Sequence, residues 1–179
     1  YIIRDNYSSG ICGLEPWLTN YVFHYYGHFV RRKLELISIL GCRSDDPTME
    51  IPVDYQRGVK SSDHPTIGFQ LGASTESRCW PVSHYARLAD ELVAKHPNVR
   101  IVLIGAPFDD GKARQFMSLI GPQTQACVDN QIGKTGLQGL LTLLDSFHVL
   151  VTGDTGPLHL AVALKVKTIS LFVTADSRS

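Results

Sequence analysis

The sequence predicts an α/β protein: a Rossmann-like parallel β-sheet flanked by helices and preceded by a long helix and a linker. The first observation is that short apolar runs alternate with helix-favouring segments of about ten residues from residue 65 onward. The second is that glycine-containing or polar loops follow these apolar runs. The third is the polar character of residues 42–64, which separate this regular region from the N-terminal part.

The N-terminal part carries one long helical pattern. Between residues 17 and 40 apolar positions recur at three- and four-residue spacing, and Gly41 suits the C-terminal cap of a helix. Residues 42–64 contain two prolines and predict a linker with one short strand near residues 49–53. We therefore assign residues 1–64 to the tail of a preceding domain and its connection, and residues 65–179 to the Rossmann-like domain.

The regular region predicts five strands with helices between them. The strands are expected at residues 66–72, 99–105, 125–128, 147–153 and 167–173. The helices are expected at residues 81–95, 109–120, 137–146 and 157–165. Such βαβ units form parallel sheets with right-handed crossovers, and ligands bind at the carboxyl ends of their strands. Four loops should therefore meet at one edge: 72–80, 105–110, 130–136 and 153–159.

Composition narrows the classes of function. The formal net charge is zero, so the sequence gives no reason to expect a nucleic-acid partner held by bulk charge. No apolar run reaches the roughly 18–20 residues that span a bilayer. The four cysteines are scattered, which indicates reduced thiols in a cytoplasmic protein. His24 and His28 are four residues apart, but they lack a nearby glutamate and a third ligand, so we expect no metal site.

The stretch "VTGDTGPLHLAVAL" at 151–164 is the most informative motif. Its two glycines let the backbone approach a ligand, and Pro157 suits the first turn of a helix. Free N–H groups at a helix start favour a phosphate, and Thr155 and His159 can reach the same anion. The alternative is that Asp154 or Thr155 caps the helix and His159 packs against its neighbours.

Two further loops carry candidate binding residues. In "LGASTESRCWP", Ser74 and Thr75 can donate to phosphate oxygens and Arg78 can clamp them, unless this is an ordinary surface loop anchored by Trp80. In "IGAPFDD", Asp109 can accept ribose hydroxyl groups or can simply cap the following helix.

Together these stretches resemble the C-terminal half of the ADP-heptose–lipopolysaccharide heptosyltransferases, glycosyltransferase family 9, which have the two-domain GT-B fold. The resemblance covers roughly residues 65–176. It rests on "GAS…SRCWP" at 72–81, "IGAPFDD" at 104–110, "GKTGLQGLLTLLD" at 133–145, and "VTGDTGPLHLAVAL" at 151–164 followed by "ISLF" at 169–172.

The resemblance implies roles for individual residues. It implies that Ser74 and Arg78 contact the diphosphate, that Asp109 faces the ribose and that Thr135 borders the adenine. The remaining residues belong to the turn that faces the diphosphate and the donor sugar: Asp154, Thr155, Gly156 and His159. Of all the residues named, the resemblance gives catalytic roles to Asp154, His159 and Arg78. It implies that they lie near the transferred sugar and the leaving diphosphate.

Three departures qualify the resemblance. Arg78 stands where the family usually has lysine, which keeps the charge but changes the contact geometry. The residues after "ISLF" differ from the family's glycine, threonine and proline, and the domain is expected to be cut short at its C-terminal end. The family's N-terminal domain, with its acceptor site and general base, is represented by its tail at most.

The implied function is the donor-binding part of an inverting transferase that moves heptose from ADP-heptose to the lipopolysaccharide inner core. The resemblance implies no cofactor and no metal, an acceptor held by the missing domain, and a chain inactive by itself. The resemblance also implies a cytoplasmic protein that associates peripherally with the inner face of the inner membrane. Two alternatives are a GT-B domain that uses another nucleotide sugar and a non-catalytic nucleotide-binding or interaction module.

Overall fold

The computed structural model describes residues 3–5, 20–22, 29–38 and 40–172. These residues belong to two compact units, one extending to Thr48 and one beginning at Met49. His24, His28 and the residues after Phe172 lie outside the described residues, so the expectations attached to them stay predictions.

The described residues of the first unit form a strand pair and one helix. Strand β1 (Ile3–Asp5) pairs in parallel with β2 (Asn20–Val22), and helix α1 spans Phe29–Ser38. The prediction of one long helix over residues 17–40 is therefore wrong, because a strand occupies part of it. The aromatic and β-branched pair in β2 favours extended backbone, and pairing with β1 outweighs the helical spacing. Gly41 does end the helix as predicted, with φ +84° and its N–H donating to the carbonyl of Ser38.

The second unit is built on a five-stranded parallel sheet, which confirms the predicted fold class. Its strands are β3 (Thr66–Gln70), β4 (Arg100–Ile104), β5 (Val128–Asn130), β6 (Val149–Gly153) and β7 (Lys167–Leu171). The spatial order is β5-β4-β3-β6-β7. The chain therefore builds outward from β3 in one direction and then crosses to the other side, so the strand order reverses between β3 and β6.

Helices cover both faces of this sheet. They are α2 (Val82–Lys95), α3 (Asp110–Leu119), the single turn α4 (Pro122–Gln125), α5 (Leu137–Asp145) and α6 (Gly156–Ala163). One core cluster joins Phe69 to Tyr85 and Phe116 of α2 and α3. The other joins Leu150 to Leu144 of α5, along with Ala161 of α6. Alternate strand residues point to opposite faces, so β4 and β6 contribute side chains to both clusters.

Two of the predicted strands required correction. The strand expected at residues 125–128 begins only at Val128, because Pro122–Gln125 forms a helical turn with proline at its first position. The strand expected at residues 49–53 does not form. The linker packs on α5 instead: Thr142 donates its hydroxyl to the carbonyl of Gln56, and the N–H of Gly58 donates to Asp145.

Tyr85 makes the stability of the second unit sensitive to alkaline pH. Its hydroxyl donates to the carbonyl of Gln70 at 2.9 Å, and burial, with a smaller contribution from Cys79, raises the pKa of Tyr85 above its usual range. An unfolded tyrosine ionises near pH 10, whereas the folded Tyr85 keeps its proton. The unfolded state therefore binds fewer protons, and stability falls as the pH rises above about 10.

We expect Tyr85→Phe to lower the free energy of unfolding by about 1 kcal/mol at pH 7, because the buried carbonyl of Gln70 loses its donor. The difference from the wild type should shrink at pH 10.5, since phenylalanine has no proton to lose on unfolding. Urea unfolding of both proteins at pH 7 and at pH 10.5 measures the difference in the free energy of unfolding. An equal difference at pH 7 and pH 10.5 would show that Tyr85 does not cause the alkaline loss.

Candidate functional site

A cavity of about 480 Å³ lies at the carboxyl edge of the sheet. The loops after β3, β4, β5 and β6 all contribute to its walls. This confirms the predicted convergence of the loops, and the volume is in the range of small-molecule sites. Five predicted residues line the cavity: Ser74, Asp109, Thr135, Thr155 and Gly156.

The N-terminus of α6 forms one wall of this cavity. Thr155 precedes the helix in an extended conformation and makes no side-chain cap; its hydroxyl lies 3.1 Å from that of Thr152 instead. Gly156 and Pro157 open the helix and also line the cavity. The interpretation of Thr155 as a side-chain cap therefore has no support, and the positive end of α6 is open to a ligand.

Arg78, Asp154 and His159 lie together beside the cavity. Nη1 of Arg78 is 3.6 Å from one carboxylate oxygen of Asp154, and Nε2 of His159 is 4.0 Å from the other. The side chains are 44%, 26% and 57% exposed, respectively, so all three remain accessible to a ligand. The carboxylate of Asp154 thus holds an arginine and a histidine near the start of α6.

The position of Arg78 depends on close backbone packing. Residues Glu76–Arg78 form a single 3₁₀ turn, and a Cβ on Gly153 would lie only 2.8 Å from the carbonyl oxygen of Arg78. Lys112 of α3 donates to Glu76, and this hydrogen bond raises the pKa of Lys112. The lysine therefore stays charged at neutral pH and ties the turn to α3.

Asp109 is buried between the ends of β3 and β4. It is only 3% exposed, and its Oδ2 accepts the N–H of Ala106 at 3.0 Å. A Cβ on Gly72 would lie 2.0 Å from its other carboxylate oxygen, and one on Gly105 would lie 2.9 Å from Oδ2. The carboxylate therefore joins two loops of the site as well as lining the cavity.

Thr75 does not line the cavity with Ser74. Its hydroxyl is 3.3 Å from that of Ser77, and its carbonyl accepts the N–H of Arg78. Four predicted residues lie outside the cavity lining: Thr75, Arg78, Asp154 and His159. Arg78, Asp154 and His159 are nevertheless brought together, whereas Thr75 serves to shape the turn that carries Arg78.

Gln70 and Phe108 are among the cavity-lining residues that sequence reasoning did not single out. Gln70 is a buried polar residue at the end of β3, and Phe108 is a 78% exposed aromatic in the loop after β4. The signal for Gln70 was a single amide inside the apolar run "IGFQLG". Phe108 carried no comparable signal, because its exposure follows from the tertiary fold.

The reversed strand order and the cavity at the carboxyl edge define a Rossmann-like α/β domain with a candidate small-molecule site. The model of glycosyltransferase family 9 (heptosyltransferase) matches residues 21–178. The chain belongs to that family, which confirms the resemblance drawn from its motifs.

Named relatives agree with this assignment. Lipopolysaccharide heptosyltransferase 2 of Salmonella typhimurium is 32% identical over 113 residues, which are 63% of this chain and 32% of the relative. The structure of E. coli ADP-heptose lps heptosyltransferase II shares 32% identity with a TM-score of 0.58, covering 62% of this chain and 33% of that one. E. coli heptosyltransferase WaaC with ADP-2-deoxy-2-fluoro heptose is similar in fold, with a TM-score of 0.64 at 23% identity over 87% of this chain and 48% of that one.

The chain spans about a third of the length of these curated heptosyltransferase 2 relatives. Within the described residues, no helix is both long and apolar enough to cross a membrane.

Proposed function

We propose that this chain is the donor-binding part of an inverting glycosyltransferase that moves heptose from ADP-heptose to the lipopolysaccharide inner core. The observation that carries the proposal is the uncapped N-terminus of α6, which opens into the cavity beside Arg78. Family membership supports heptose as the transferred sugar. The name of a solved relative that is 32% identical supports ADP-heptose as the donor.

The strand order suggests how the donor lies. The diphosphate fits at the reversal point between β3 and β6, where the start of α6 and Arg78 supply positive charge. The nucleoside then extends over β3 toward β4 and β5, because the cavity continues along the loops that follow these strands. In this arrangement Asp109 lies near the ribose and Thr135 lies near the base.

The proposed reaction forms a bond between an acceptor hydroxyl oxygen and the anomeric carbon of the heptose. The bond from that carbon to the diphosphate breaks, and ADP leaves with the electron pair. Negative charge therefore grows on the diphosphate, where the α6 N-terminus, Arg78 and protonated His159 can stabilise it. Asp154 orients the side chains of Arg78 and His159. These groups supply the stabilisation in the proposed mechanism, so it requires no metal or cofactor.

The acceptor and its proton belong to the rest of the enzyme in this proposal. The lipopolysaccharide core would be held by an N-terminal domain that also supplies the general base. Transfer would take place in the cytoplasm, at the inner face of the inner membrane. The chain alone is then expected to bind ADP weakly and to transfer little or no sugar.

Calorimetric titration of the chain with ADP, UDP and GDP tests the proposal. We expect ADP to bind in the millimolar range or tighter and to be preferred over the other two. A preference for UDP or GDP would favour another nucleotide sugar as the donor. No detectable binding of ADP at millimolar concentration would contradict the proposal.

We expect Arg78→Ala to weaken ADP binding about tenfold, because a charge-assisted contact to the diphosphate is lost. Arg87→Ala is the matched control, since Arg87 is an exposed arginine of α2 that pairs only with Glu91 among the described residues. It should leave the ADP affinity unchanged. If Arg78→Ala and Asp154→Ala both bind ADP as the wild type does, a non-catalytic module becomes the better interpretation.

A further inference from the structure

Gln70 presents an unsatisfied hydrogen-bond acceptor at the candidate site. The residue is 7% exposed, ends β3 and lines the cavity. Its Nε2 donates to the carbonyl of Gly72 at 2.9 Å, while its Oε1 is buried and has no hydrogen-bond partner among the described residues. Buried polar atoms are nearly always paired in folded proteins, so an unpaired oxygen on a cavity-lining residue is expected to gain a donor when a ligand binds and the side chain adjusts.

The orientation of the Gln70 amide is fixed by its neighbours. A flipped amide would place Oε1 against the carbonyl of Gly72, so that two acceptors would face each other. The backbone of Gln70 is also held, because the Tyr85 hydroxyl donates to its carbonyl. The unpaired atom is therefore the oxygen, and its partner must be a donor group.

We propose that Oε1 of Gln70 accepts a hydrogen bond from a ribose hydroxyl of the bound nucleoside diphosphate. This inference rests on the proposed function. Gln70 belongs to β3, which lies between β6, at the phosphate-binding helix, and β4, at the Asp109 loop. Phosphate oxygens accept hydrogen bonds and carry negative charge, so they are poor partners for Oε1. In the proposed arrangement the ribose lies next to the phosphates, displaced toward β4 by about the distance between neighbouring strands. The ribose carries hydroxyl groups that can donate to Oε1.

The division of roles between Gln70 and Asp109 follows from their surroundings. One oxygen of Asp109 already accepts the N–H of Ala106, and the carboxylate is packed against Gly72 and Gly105. A ribose presents two hydroxyl groups, and the amide oxygen of Gln70 offers an acceptor for one of them. Gln70 thereby becomes a residue that distinguishes ribose from deoxyribose.

The test is calorimetric titration of the chain with ADP, 2′-deoxy-ADP and 3′-deoxy-ADP, for the wild type and for Gln70→Met. The wild type should bind ADP about tenfold more tightly than one of the deoxy analogues. Gln70→Met should bind this deoxy analogue with the same affinity as the wild type does. The variant should no longer bind ADP more tightly than the analogue. Methionine is of similar size and removes the unpaired acceptor, but it also removes the donor to the carbonyl of Gly72, so the melting temperature should change only slightly.

Gln131→Met is the matched control, since Gln131 follows β5, bonds to Asp129 and does not line the cavity. It should retain the preference for ADP. An equal loss of affinity of Gln70→Met for all three nucleotides would overturn the inference, because a purely structural role affects them alike. A wild type that binds all three nucleotides equally overturns it without any variant, while a wild type that binds none overturns the proposed function as well.

Discussion

Replacing Gly156 with glutamate is expected to abolish measurable ADP binding while leaving the chain folded. Gly156 is the first residue of α6 and lines the cavity, and a Cβ at this position meets no atom of the described residues within 4 Å. A carboxylate in the first turn stabilises a helix by about 0.3–1 kcal/mol. The same carboxylate would lie about 5 Å from the proposed diphosphate and oppose it by about 3 kcal/mol, or a factor of about a hundred.

Gly156→Gln is the control, because it adds a side chain of the same size without charge. The measurements are the melting temperature and the ADP affinity of both variants. Glutamate should raise or maintain the melting temperature and remove binding, whereas glutamine should weaken binding much less. If glutamate and glutamine reduce the affinity equally, steric blocking explains the effect and the helix N-terminus does not hold the phosphate.

Gly72→Ala is expected to cause the largest loss of stability at the site. The new Cβ would lie 2.0–2.3 Å from the three carboxyl-group atoms of Asp109, which is buried and held by the N–H of Ala106. Neither the strand end nor the carboxylate can move without breaking other contacts. We expect a loss of about 3 kcal/mol, which corresponds to about 6–12 °C in melting temperature for a chain of this size.

Gly111→Ala provides the comparison, because a Cβ on this residue of α3 meets nothing within 4 Å in the described parts of the chain. Alanine is the better helix former, so this variant should be more stable than the wild type by about 0.5–1 kcal/mol. The measurement is the melting temperature of each of the two variants, compared with that of the wild type. Similar melting temperatures for Gly72→Ala and the wild type would show that Asp109 can leave its position at little cost.

Most elements of the second unit could be predicted from the sequence because their signals are local. The apolar runs that became β3, β4 and β6 end at Gln70, Ile104 and Gly153, within two residues of their predicted ends. The errors arose where a competing interaction was not local. The strand β2 formed inside a helical pattern through its pairing with β1, and the start of β5 was delayed by the turn α4.

The sequence by itself determined the βαβ alternation, the edge at which the loops meet and the residues available there. Periodicity and turn chemistry act over a few residues, and parallel strands place their carboxyl ends together. It also carried the motifs that identify the family. The assignment of individual residues to diphosphate, ribose and base remains a prediction for the binding experiments.

Only the tertiary structure decided how these residues are arranged. It placed Asp109 between two glycine-containing loops, set Asp154 between Arg78 and His159, and left Oε1 of Gln70 without a partner in the part of the chain that the structure describes. Each of these facts depends on contacts between residues that are far apart in the chain or on burial by several elements at once. Local sequence patterns cannot specify such contacts, because strand order and close packing are properties of the assembled sheet.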